Sequence, residues 1–388
     1  MNSSPVKSYL SVGARKGLVA LAGLSALVLL LGVFHPWPGY WGSFLMAFIL
    51  VLGLGLAPLL LLAINFAAGG RWLTQFRRVP EAMAATLAAT GPAVLLLLWG
   101  APKFYPWARP EVQALTAMAG KNFYFKPLFY DLRSLVYVAG WVLFSRLILT
   151  QSRAQDRDGL LTRSALNRKL SIGFIIFFAY SFCLASVDWI GSLEPTWFSA
   201  IFGLYCFAGI FQSGFAAIIL LVLYLEKQGV LQGKIREEHL HDLGKFLFAF
   251  GAFWAYMWFS QYMLIWYADL PDENRYYLLR GGAWAYMIGL TVLGRFIVPF
   301  IIQGSQAAKR NRKVLAATAV LVLLSHWLDL LVMVMPSQGF GLGALPLAVL
   351  LPAGAVAAYL LLFFGAFGRQ APVPLKDPAL AFSQHYHT

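Results

Sequence analysis

Ten apolar runs leave this chain few ways to fold. They lie at 17–34, 40–66, 80–100, 128–150, 169–190, 197–225, 242–268, 280–303, 314–335 and 343–367. Each is near or above the roughly 20 residues a helix needs to cross a ~30 Å hydrocarbon layer. Lipid offers the backbone no hydrogen-bond partner, so helices and closed barrels alone can span it, and unbroken runs of this length are helical. The expected fold is an all-α polytopic membrane protein with ten transmembrane helices. With 60% hydrophobic and 12% charged residues, no stretch is polar enough for a separate soluble domain. The first run follows Lys7, Arg15 and Lys16, as a signal peptide would. It is nevertheless long enough to span and ends in His35-Pro36-Trp37-Pro38 without a small-x-small cleavage site, which makes it a retained first helix.

A net charge of +14 would point to nucleic acid in a soluble protein, but here the placement of the cations decides. Twenty of the 30 lysines and arginines fall beside one alternating set of loops and ends, among them Arg71, Arg77, Arg78, Arg153, Arg157, Lys309, Arg310 and Arg369. The opposite loops hold Lys103, Arg109, Lys121, Lys126, Arg275 and Arg280. Arg133, Arg146, Lys245 and Arg295 fall inside helices. The positive-inside rule then puts both termini in the cytoplasm and removes nucleic acid as a partner. Residues 101–127, rich in aromatics and proline, are expected along the outer interface, and Gly191–Pro195 as a tight outer turn.

The chain repeats itself weakly. Tyr137, Gly140 and Arg146 match Tyr286, Gly289 and Arg295 at an offset of 149, and Asn167-Arg168-Lys169 returns as Asn311-Arg312-Lys313 at 144. Trp41, Ser43 and Gly53 match Trp197, Ser199 and Gly209 at 156. The order is consistent with a duplicated four-helix unit, and an even number of crossings makes the two units parallel. The expected division is 1–34 (tail and first helix), 40–190 and 196–336 (two four-helix bundles), and 343–388 (tenth helix and cytoplasmic tail).

A charge near the bilayer centre costs about 3 kcal/mol or more, so the few that occur there are candidates for function. His326 and Asp329 stand three residues apart on one face of the ninth helix, past the membrane midplane, where they could exchange protons. Asp188 and Glu194 bracket the outer turn, with Ser181 and Ala185 on the helical face that leads up to Asp188. Arg295, Gln212, Ser260 and Gln261 add polar groups deeper in the bundle. Against each stands a structural role as a helix–helix pair or a solvated helix end. The aromatic run Phe253–Phe259, continued by Tyr262, Trp266 and Tyr267, could line a pocket for a flat hydrophobic ligand or belong to an interfacial belt.

Absences narrow the chemistry. Cys183 and Cys206 both fall in apolar runs and are too few for a disulfide framework or a cysteine-held cluster. His326 alone among six histidines lies within a span, which excludes a haem held across the bundle by two histidines. The terminal His385-Tyr386-His387 is a remote candidate for metal binding.

Three segments, Ser186–Phe202 (S-V-D-W-I-G-S-L-E-P-T-W-F-S-A-I-F), Asp242–Glu273 with its F-S-Q-Y-M-L-I-W-Y stretch, and His326–Pro336, resemble the F subunit of bacterial alternative complex III, within the NrfD/polysulfide-reductase-type membrane anchors. The resemblance covers nearly the whole chain. It implies a subunit of a quinol:electron-acceptor (cytochrome c type) oxidoreductase in the bacterial cytoplasmic membrane. It also implies that the chain carries no redox cofactor, while quinone or menaquinone, iron–sulfur clusters and c-type haems serve the rest of the complex. Partners implied are a homologous C-type membrane anchor, an iron–sulfur subunit, multihaem and monohaem cytochrome c subunits, small membrane subunits, lipids and a terminal oxidase. The family's acidic positions in D-W…E-P fall on Asp188 and Glu194, and its H-x-x-D on His326 and Asp329, as parts of a proton pathway. Two positions depart from the family: Asp269 stands where asparagine is common, and Arg295 precedes Phe296 where histidine is common. A secondary transporter and the quinone-binding anchor of a molybdopterin-type reductase are the alternatives. Strongly broken helix pairs, which a transporter would favour, are not evident in the sequence.

Overall fold

The computed structural model describes residues 9–384 and 386, and among these no strand occurs. Ten long helices carry the fold: α1 (Val12–Phe34), α2 (Tyr40–Ala68), α3 (Arg78–Phe104), α4 (Pro127–Asp158), α5 (Leu161–Trp189), α6 (Phe202–Lys227), α7 (Glu237–Ala268), α8 (Ala283–Ile302), α9 (Arg312–Val334) and α10 (Leu345–Phe367). All but α7 are long and apolar enough by composition to cross a membrane. Tryptophan and tyrosine lower the hydropathy of α7, yet its 32 residues extend about 48 Å and connect the two faces of the molecule. Asp242 near its start bonds Tyr386, and Gln261 near its end bonds Ser199. The protein is an all-α polytopic membrane protein.

The loops segregate onto two faces. On face A, Tyr224 of α6 donates to Tyr9 O before α1 (2.9 Å), Arg77 pairs with Asp377 (2.5 Å), and Lys376 reaches Arg157 O (2.6 Å). On face B, Lys121 binds Pro195 O (2.9 Å) and Arg280 pairs with Glu194 (2.9 Å). The described stretches nearest both termini lie at face A.

Helices α2–α5 close into a ring with α2 against α5, and α6–α9 close the same way with α6 against α9. The first helix of each ring runs from face B to face A, so the rings are parallel. They join through α2, α5 and α6, while α1 and α10 pack together on the outside of α2. Matched sequence does not mean matched surroundings, however. Tyr137 is buried but Tyr286 is 78% exposed, and Arg146 is exposed where Arg295 is fully buried.

Prolines tie the helices to one another. A proline lacks the N–H that would serve the carbonyl four residues earlier, and in lipid that carbonyl needs another donor. Pro58 frees Leu54 O, which accepts from Tyr359 of α10 (3.3 Å). Pro352 frees Ala348 O for Trp327 of α9 (2.8 Å), and Pro299 frees Arg295 O for Gln212 of α6 (2.9 Å).

Several expectations need correction. The third span is not continuous: a 3₁₀ turn at Thr86–Ala89 divides it. Thr86 and Thr90 bond the carbonyls of Met83 and Leu87, and Pro92 cannot serve Ala88, so α-helical bonding lapses there. The eighth span contains a π turn at Leu293–Ile297. Broken helices are therefore present, although not at corresponding positions of the two rings. The cations from Arg153 to Lys169 sit on helical extensions of α4 and α5 instead of in a loop, because hydropathy marks the lipid boundary and not the helix end. Residues 101–127 form no regular span of their own. They fold over the ends of α4 and α5 and bury Tyr105, Trp107 and Phe125.

Candidate functional site

The second ring buries its polar groups at one level. His326 and Asp329 share the inner face of α9, as their spacing requires. Arg295 enters from the π turn of α8, a device that rotates a side chain inward and recurs at functional sites. Gly294 makes the approach of α9 possible, since a Cβ there would stand 2.0 Å from Ser325 Oγ. From α6 come Tyr205, Gly209 O and Gln212, and from α7 comes Trp254.

Arg295 organises the cluster. Its Nη1 donates to Asp329 Oδ2 (2.9 Å) and stands 2.7 Å from His326 Nδ1. A guanidinium can only donate, so Nδ1 accepts and the neutral ring carries its proton on Nε2. Nη2 donates to Gly209 O (2.7 Å) and to Gln212 Oε1 (3.1 Å), and the guanidinium lies 4.8 Å from the Trp254 ring centre. Asp329 is held further by the Tyr205 hydroxyl on Oδ1 and by Trp254 Nε1 on Oδ2 (3.1 Å). Gln212, Arg295, His326 and Asp329 are all buried.

Two cavities of about 20 Å³ border Asp329, each with room for a single water. One is lined by Ser186, Trp189, Cys206 and His326. The other is lined by Tyr205, Gln261, Tyr277 and Arg280 and leads toward face B. There Arg280 donates to Glu194 Oε1 and to the carbonyls of Val332 (3.0 Å) and Met333 (2.8 Å) at the end of α9, while Glu194 Oε2 is buried without a partner. Burial pushes the Tyr277 hydroxyl up to about 12, so it stays a neutral donor beside that cavity. Toward face A, Phe215 stacks on Phe246 (4.9 Å) and packs with Phe250, an apolar plug one turn beyond Gln212.

The first ring holds Asp188 differently. Arg133 grips both its oxygens (Nε–Oδ2 3.0 Å, Nη2–Oδ1 2.9 Å), and Tyr137 donates to Oδ2 (2.9 Å). Neither Asp188 nor Glu194 is solvated, contrary to what a place near a helix end suggests.

The structure thus brings His326, Asp329, Arg295 and Gln212 together, places Gln261 and Glu194 on the side toward face B, and leaves Asp188 in a clamp of its own. Ser260 is half-buried and lies outside these hydrogen bonds. Along the aromatic run of α7, the cavity beside Trp258 admits one water, and Trp266 and Tyr267 are exposed. Sequence reasoning missed Tyr205, Trp254, Arg133 and Arg280 as partners. It also missed a buried network at face A, where Glu81 binds Arg77 (3.2 Å), Arg78 and Ser152 (2.5 Å), and Arg78 also pairs with Asp156. The R-R-x-x-E spacing was the available signal. Of the terminal triplet, Tyr386 bonds Asp242, and His385 and His387 lie outside the described residues.

The class defined by fold and site is a polytopic membrane protein with buried arginine–carboxylate centres, one of them bordered by water-sized cavities. No family model matches the chain, and no curated protein matches it.

Proposed function

We propose that this chain is a membrane subunit of a quinol-oxidising complex of the alternative complex III type, in the bacterial cytoplasmic membrane. Its role is scaffolding together with proton transfer through a half-path from Asp329 to face B, and it holds no redox cofactor itself. The positive-inside rule makes face A cytoplasmic and face B the outer side. One observation carries the proton assignment: Asp329 is fully buried, held by donors from three other helices, and bordered by two cavities that each fit a water. A carboxylate so placed can take up a proton, loosen its hold on Arg295 and pass the proton through Tyr205 and the cavity water toward Glu194. Redox events in neighbouring subunits would drive the cycle, and the aromatic plug would prevent direct leakage to face A. The resemblance of the D-W…E-P, F-S-Q-Y-M-L-I-W-Y and H-x-x-D segments supports the choice of complex.

The test is Asp329→Asn in the intact complex reconstituted into vesicles, with protons released per electron measured during quinol oxidation. The expected result is a lowered stoichiometry with quinol oxidation retained. An unchanged stoichiometry would leave scaffolding as the role.

A further inference from the structure

A cleft of about 410 Å³ opens on the flank of the molecule between α10, the end of α4 and the divided part of α3. Its floor is small and apolar, formed by Ala85, Ala88 and Ala89 on one side and Gly365 and Ala366 on the other. The 3₁₀ turn at Thr86–Ala89 takes α3 out of helical register there, and at Gly365 nothing lies within 4 Å of where a Cβ would stand. Two arginines rim the face-A end, Arg153 from α4 and Arg369 just past α10. Both are exposed, and among the described residues neither makes an ion pair or a side-chain hydrogen bond. Beside them the Gln370 side chain has both amide atoms shut off from solvent without a partner.

Each feature narrows the occupant. Two unpaired guanidinium groups at a membrane surface select an anion, and arginine matches phosphate oxygens in pairs. An unsatisfied amide calls for a ligand with both acceptor and donor groups, as a glycerol headgroup has. The floor continues inward from Arg369 to Leu361, eight residues along α10 and about 12 Å, as an acyl chain would run below its phosphate. A free inorganic anion has no use for that floor, and a neutral quinone ring has no use for two cations.

We propose that this cleft binds an anionic phospholipid of the phosphatidylglycerol kind. The phosphate sits between Arg153 and Arg369, the headgroup meets Gln370, and one acyl chain lies along the alanine–glycine floor. Anionic lipid recognition by basic pockets between helices near the cytoplasmic surface follows the same physics. The site is independent of the proton path assigned above.

The experiment uses the full chain in its purified complex, moved into nanodiscs of phosphatidylcholine with or without phosphatidylglycerol, with retained lipid counted by native mass spectrometry. Wild type should retain phosphatidylglycerol over phosphatidylcholine. The double variant Arg153→Gln/Arg369→Gln should lose about tenfold of that preference, the scale of one or two charge-assisted hydrogen bonds. Gly365→Leu, which fills the floor and keeps both arginines, should expel the lipid as well and covers the case in which the double variant fails to assemble. Equal retention of both lipids by wild type overturns the proposal, as do an undiminished preference in either variant and a quinone found in place of phospholipid.

Discussion

Each ring buries an aspartate on its last helix and holds it with an arginine from its third helix and a tyrosine hydroxyl. In the first ring these are Asp188, Arg133 and Tyr137; in the second they are Asp329, Arg295 and Tyr205. The surroundings separate them. Asp188 stands in the last turn of α5, both oxygens in the fork of one arginine, and residues 101–127 fold over it. Arg133 keeps a little access to solvent, with its side chain 11% exposed. Asp329 lies a turn and more inside the end of α9, its oxygens shared among donors on α6, α7 and α8, and Arg295 has no solvent at all. A carboxylate saturated by one fork is a strut that pins two helices. One divided among several donors, with water-sized space beside it, can release a single bond while the others hold.

The largest difference should appear when the arginines are removed. Arg295→Met leaves a buried carboxylate without its counter-charge, a change that costs about 3–5 kcal/mol. Arg133→Met should cost less, about 1.5–3 kcal/mol, because water can reach the end of α4 and hydrate Asp188. Thermal unfolding in detergent would measure both. Equal losses would break the distinction between the two centres.

Next come the aspartates. Asp188→Asn keeps the shape and should leave proton release per electron unchanged at a modest loss of stability, whereas Asp329→Asn should lower it. If Asp188→Asn impairs proton release as strongly, the first ring also conducts and the strut reading fails.

How far the sequence reached can be judged from these same residues. Asp188, His326 and Asp329 were legible because an ionisable group inside a long apolar run stands out against its surroundings, and Glu194 because it closes the short outer turn beside Asp188. Their arginine partners were not. Helical periodicity tells which residues share a face but not which helix that face meets, so Arg280 passed as a loop cation and Arg133 as a cation within a helix. Tyr205 was invisible for another reason: at 16% aromatic residues, one more ring carries no signal, and Trp254 stood out only as part of the aromatic run, not as a partner of Asp329. The breaks in α3 and α8 were readable in principle from Thr86, Thr90, Pro92 and Pro299. The lipid-facing hydropathy of both spans hid them. Nine of the ten expected crossings are long and apolar enough to span, and α7, the least apolar, still runs from one face of the molecule to the other.

The smallest and sharpest comparison is between the two tyrosines. Tyr205→Phe and Tyr137→Phe each remove one hydroxyl from a buried carboxylate, and each should cost about 1.5–3 kcal/mol, since the acceptor is charged. Stability alone would therefore not separate them. Tyr205 bonds Asp329 and also lines the cavity toward face B, beside Gln261 and Arg280. Tyr137 touches Asp188 and has no such second contact among the two cavities at Asp329. Proton release by the reconstituted complex should accordingly slow in Tyr205→Phe and keep its wild-type rate in Tyr137→Phe. Equal rates in the two variants would mean that water in the cavity reaches Asp329 without the hydroxyl, and the half-path would then begin at the carboxylate itself.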